Sequence, residues 1–162
     1  MAEENFLLGV SQLGATFMGF VAIFLIFVRQ DGRFTPADAL RIRALIYTSL
    51  LVVAGGLLPV MMFFLLGGDL AWRAAAATML VIGSAITVDV ARSQLKLSKE
   101  DLRELVVLHA VVTYALAFVA LALSVVVVLG YGSGGVLYTT ALMLTVASVM
   151  ITFITLAFKN LF

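Results

Sequence analysis

The stretch LVVLHAVVTYALAFVALALSVVVVLGYGSGGVLYTTALMLTVASVMITFITLAF, residues 105–158, contains no Asp, Glu, Lys or Arg. Glu104 closes it on one side and Lys159 on the other. An α-helix rises ~1.5 Å per residue, so ~20 apolar residues cross a hydrocarbon core ~30 Å thick. The stretch therefore holds two crossings. Gly130-Tyr131-Gly132-Ser133-Gly134-Gly135, in its middle, is where the chain folds back. Uncharged runs at 5–28 and 44–68 repeat the signal on the N-terminal side.

Composition agrees. Of 162 residues, 64% are hydrophobic and only 12% are charged, against ~25% charged in an ordinary soluble domain. Open strands are excluded, because lipid cannot satisfy their edge N–H and C=O groups. Barrel strands give short alternating segments, whereas these runs are long and continuous. The fold class expected is all-α: a single polytopic transmembrane helical bundle over 1–162, with five spans at about 6–28, 40–66, 70–90, 98–129 and 136–158. The start, Met1-Ala2-Glu3-Glu4-Asn5, is acidic rather than basic, so the first run reads as a retained span and not as a signal peptide.

Orientation follows from Lys and Arg. With five spans, Arg29, Arg33, Arg41, Arg43, Arg92, Lys96, Lys99, Arg103 and Lys159 all fall on one side, and only Arg73 falls on the other. This partition predicts an outside N-terminus and a cytoplasmic C-terminus. Trp72, Tyr131 and Tyr138 then sit near the outer interface, where amphipathic rings are favoured. Both cytoplasmic loops end in a helix start. Thr35-Pro36-Ala37-Asp38 offers an N-cap, a proline at N1 and an acid at N3; Ser98-Lys99-Glu100-Asp101 offers a second cap, with Leu97 and Leu102 as its staple.

Several classes of chemistry are excluded or unsupported. With no cysteine there is no disulfide, thiolate metal site or cysteine nucleophile, and one His cannot supply two imidazole ligands. No cofactor is expected. A net charge of +1 with no basic patch beyond the loops gives no reason for a nucleic-acid partner. No carboxylate lies near the centre of a span, and no phosphate loop or Ser–His arrangement is present. An enzyme is not expected.

The residues open to a functional reading are few. On the fifth helix Tyr138, Thr145, Ser148, Thr152 and Thr155 follow a three-four spacing, with Ala141 between and Lys159 at the end. Such a stripe reads either as the wall of a pore, where hydroxyls replace part of a hydration shell, or as bonding across and within helices. Asp89 stands only fifteen uncharged residues from Arg73. Having no long stem, it belongs at the cytoplasmic boundary, as a cation-attracting mouth or as an ion pair with Arg92, Arg41 or Arg43. His109, with Thr113 four residues on, is a pH-sensitive group or a packed helix residue. Ser11, Ala15 and Gly19 form a small-residue stripe, used for packing within the subunit or for an oligomer contact. Gln12 is a polar group within the same span, and Pro59 removes an N–H from the second.

Gly14-Ala15-Thr16-Phe17-Met18-Gly19-Phe20, together with Pro59, resembles uncharacterised small multi-pass membrane proteins of bacteria. The resemblance implies a bacterial inner (plasma) membrane and carries no function. The function expected from the residues is a homo-oligomeric ion channel or small-solute pore lined by the fifth helix. The alternatives are a non-conducting structural or regulatory subunit of another membrane protein, or a lipid-binding membrane protein. Membrane lipid is a partner in every case. Reporters fused to each chain end should map the first outside and the second to the cytoplasm; finding both in one compartment would refute the five-span topology.

Overall fold

The structure, a computed structural model, describes residues 2–30, 35–99 and 107–161, with side chains placed for 4–26, 35–99 and 110–157. Five helices account for nearly all of it: α1 Ala2–Gln30, α2 Pro36–Leu65, α3 Gly68–Gln94, α4 Val107–Leu129 and α5 Gly134–Leu161. All five are long and apolar enough to cross a membrane. The described helices run past the expected bounds at both ends of α1, α3 and α5 and at the start of α2, because first and last turns continue a helix beyond the hydrocarbon. The second expected cap, at 98–101, runs into residues outside the described set, and so does Leu102.

Local chemistry fixes the helix ends. Thr35 is extended (φ −93°, ψ 159°), its hydroxyl oxygen accepts from the Asp38 N–H, and Pro36 follows at the first helical position. The two short turns at the opposite end are made by glycines with left-handed backbones: Gly67 and Gly68 between α2 and α3, Gly130 and Gly132 between α4 and α5. Gly130 donates to the Val127 carbonyl at 3.0 Å and Tyr131 to that of Val126 at 3.1 Å. These paired bonds close the end of α4 and satisfy two of its orphan carbonyls.

The helices α2, α3, α4 and α5 form a closed ring, each touching the next and α5 returning to α2, while α1 lies along the outside of α2. The outer surface is apolar: Phe64, Phe118 and Val81 are among the most exposed side chains. That face suits lipid and would be unsustainable in water.

Packing is tightest around a bare segment of α2. Proline cannot donate, so Pro59 leaves the carbonyl of Gly55 without its helical partner. The Tyr138 hydroxyl of α5 donates to that carbonyl at 2.7 Å and replaces the missing bond. Gly55 has no Cβ, which gives Met79 and Leu142 room; a Cβ there would lie 2.7 Å from each. On the opposite side Gly56 lets α1 approach through Leu7 and Ser11, and the Ser11 hydroxyl donates to the Val53 carbonyl at 3.0 Å. Gly14 of α1 completes this contact against Val52 and Val53. At the glycine-turn end, Trp72 meets Phe63 edge-on, with ring centroids 5.2 Å apart, and tilts against Tyr138 at 5.5 Å, while its other face covers Gly134 and Gly135.

The α1 stripe is divided by the structure. Ser11 is buried on α2, whereas Ala15 and Gly19 are exposed. A helix turns once per ~3.6 residues, so steps of four drift steadily around its axis. The buried residues of α1 are Leu7, Val10, Ser11, Gly14 and Val21.

Removing the hydroxyl with Tyr138→Phe should cost about 1–3 kcal/mol, as for any buried polar group left unpaired. In a Pro59→Ala background, which restores an N–H at position 59, the same change should cost about 1 kcal/mol less. Equal costs in both backgrounds, measured by unfolding in detergent, would remove the proposed exchange of donors.

Candidate functional site

Partly open space lies between the helices of the ring. Two lobes, of about 60 Å³ and about 90 Å³, share Thr48, Ile86, Thr87, Ala117 and Ser148 as common walls. Side by side they extend along α3 from Met79 to Gln94, a rise of about 22 Å, or roughly two-thirds of a hydrocarbon core. Tyr138 closes one end, with Trp72 packed behind it. Arg41, Gln94 and Tyr114 line the other.

The fifth-helix stripe takes its place here. Tyr138, Thr145 and Ser148 line the first lobe; Ser148 and Thr152 line the second; Thr155 lines neither. The space lies inside one chain, whereas the sequence reading expected it between copies. The ring arrangement decides this, and helix order along a sequence does not reveal which helices close on one another.

The hydroxyls on the wall are bonded in a uniform way. Thr48 donates to the Ala44 carbonyl at 2.7 Å, Thr87 to Gly83 at 2.8 Å and Ser124 to Ala120 at 2.9 Å. Thr145 donates to Ala141 at 3.0 Å, Thr152 to Ser148 at 2.8 Å and Thr113 to Ala110 at 3.1 Å. Tyr114 reaches across from α4 to the Gln94 Oε1 at 2.8 Å. A carbonyl oxygen cannot donate, so the proton direction in each is settled by chemistry. The wall is otherwise apolar.

Asp69 and Arg73 sit beside the glycine turns, and the ion pairs described next lie at the opposite end of the bundle. Arg41 and Asp38 pair at 3.3 Å with both side chains buried, and Thr35 donates to the second Asp38 oxygen at 2.9 Å. Asp89 pairs with Arg43 at 2.6 Å, joining α3 to α2. Of the partners expected for Asp89, Arg43 is therefore the one engaged, and Arg92 is exposed. Arg43 also lies 5.4 Å over the Tyr47 ring. The Asp89 side chain is not part of the cavity wall. His109 and Lys159 lie in α4 and α5, but their side chains fall outside the described set.

Sequence reasoning missed Thr48, Thr87, Gln94 and Tyr114 as wall residues. Each is a polar residue in an apolar span, which was the available signal; only Thr87 and Gln94, two turns apart on α3, share a face. Among the described residues no cluster of His, Asp or Glu is arranged to hold a metal. No protein-family model, curated protein or solved structure matches the chain.

The Arg43 and Asp89 side chains are 45% and 42% exposed, so solvent screening governs their pair. A double-mutant cycle with Arg43→Gln and Asp89→Asn should give a coupling of no more than about 1 kcal/mol. A coupling several times larger would mean the pair is desolvated.

Proposed function

We propose that this membrane protein passes a small solute or ion along a path built within each subunit by α2, α3, α4 and α5. One observation carries the reading: the two adjoining lobes between the helices of the ring, with hydroxyls spaced along an otherwise apolar wall. An apolar wall alone would exclude polar solutes, and a wall of charges would trap them. Sparse neutral oxygens give binding weak enough for release. The Trp72–Tyr138 cluster would gate one end and the Arg41–Gln94–Tyr114 cluster the other. In a homo-oligomer, copies would stand side by side, each with its own path.

The distribution of Lys and Arg supports an outside N-terminus and a cytoplasmic C-terminus, and hence an inner mouth at Arg41. A bacterial inner membrane fits the same reading. No catalytic role is proposed.

A second reading, a non-conducting structural subunit, is favoured by the way wall hydroxyls bond their own helices, which is also how buried hydroxyls pack in inert bundles. Flux separates the two. Purified protein in liposomes should conduct ions or small solutes above empty vesicles. Ala117→Phe, which fills the waist shared by both lobes, should reduce flux to background while leaving the melting temperature close to that of the parent. A folded Ala117→Phe variant with full flux would remove the path from the ring.

A further inference from the structure

We propose that the solute taken into this cavity is small, uncharged and rich in hydrogen-bond donors, and that Ser148 is the residue that binds it. The inference rests on the path reading above and adds the class of solute.

Nine hydroxyl side chains line the two lobes, and eight of them already donate, seven to a backbone carbonyl and Tyr114 to Gln94. The exception is Ser148. Its side chain is 8% exposed, it belongs to the wall of both lobes, and its hydroxyl makes no hydrogen bond to any described residue. Buried hydroxyls are normally satisfied, so one left open inside a cavity marks a place for a ligand atom. It sits at the waist, where Thr48 of α2 and Thr87 of α3 share the same walls.

The engaged hydroxyls keep their oxygen lone pairs. The waist thus presents acceptors from Thr48 and Thr87 and one free O–H from Ser148. An anion needs several donors, and here finds one hydroxyl and a guanidinium already paired with Asp38. A cation meets no carboxylate on the wall, and the Asp38 charge behind the inner lobe is already taken up by Arg41, so nothing replaces the water the cation must shed. A neutral molecule with several N–H or O–H groups avoids both penalties. It donates to the threonine oxygens and accepts from Ser148, as urea and glycerol would.

The test uses the whole protein in liposomes, with two parallel readouts. Light scattering after osmotic shock follows the entry of urea and glycerol; a potential-sensitive dye follows potassium and chloride. Urea or glycerol entry above empty vesicles, with no ion current, is the expected result. Ser148→Ala should slow that entry by roughly two- to ten-fold, the worth of one hydrogen bond. Thr140→Ala, which removes an outward-facing hydroxyl, should leave it unchanged. Ion current without neutral-solute entry would overturn the inference and leave the path reading standing. Neither flux would overturn both. Unchanged entry in folded Ser148→Ala would remove Ser148 from the site.

Discussion

A backbone carbonyl in hydrocarbon has no water to turn to, and the Gly55 carbonyl is the point where this constraint shapes the bundle. Pro59 takes away its helical donor, and Tyr138 of α5 supplies another at 2.7 Å. The exchange ties the last helix to the second and closes the ring. It also places the Tyr138 ring against Trp72, and Trp72 over Gly134 and Gly135, so the turn between α4 and α5 is held by the same contact. Gly55 and Gly56 are adjacent and face opposite neighbours. One admits Met79 and Leu142, the other admits α1. A short, side-chain-free segment of α2 is therefore the hub on which both its flanking helices are seated.

The same rule accounts for the character of the cavity. A threonine inside a membrane bundle satisfies its proton most cheaply on the carbonyl four residues back, and Thr48, Thr87, Thr145 and Thr152 all do so. What remains toward the cavity is oxygen lone pairs on an apolar wall. This is a structural habit with a chemical consequence: the interior becomes an acceptor surface without bearing a charge. Ser148 departs from the habit at the position where the two lobes meet.

The two ion pairs contrast in environment. Arg43 and Asp89 are half-exposed and their attraction is largely screened, so they orient α2 against α3 with small energetic weight. Arg41 and Asp38 are buried. Removing one partner of such a pair typically costs ~3–5 kcal/mol, because the other charge is stranded. The buried pair is thus a fixed feature of the end of the ring opposite the glycine turns, while the exposed one is an adjustable strut at its edge.

Charge alone, read along the chain, determined that there are five helices long and apolar enough to cross a membrane. Hydrocarbon penalises bare charge so heavily that this information is local to the sequence. The cap at Thr35, the glycine fold-back at 130–135 and the fifth-helix stripe were legible for similar reasons, since each depends on residues a turn or two apart. The neighbours of each helix were not legible. Helix five meets helix two through a tyrosine and a glycine 83 positions apart, and periodicity within a segment says nothing about that pairing. For the same reason the stripe on α5 pointed to a polar wall, but only the ring decided that the wall faces a cavity within one chain, that Thr155 is excluded from it, and that Ser148 alone keeps an open hydroxyl there.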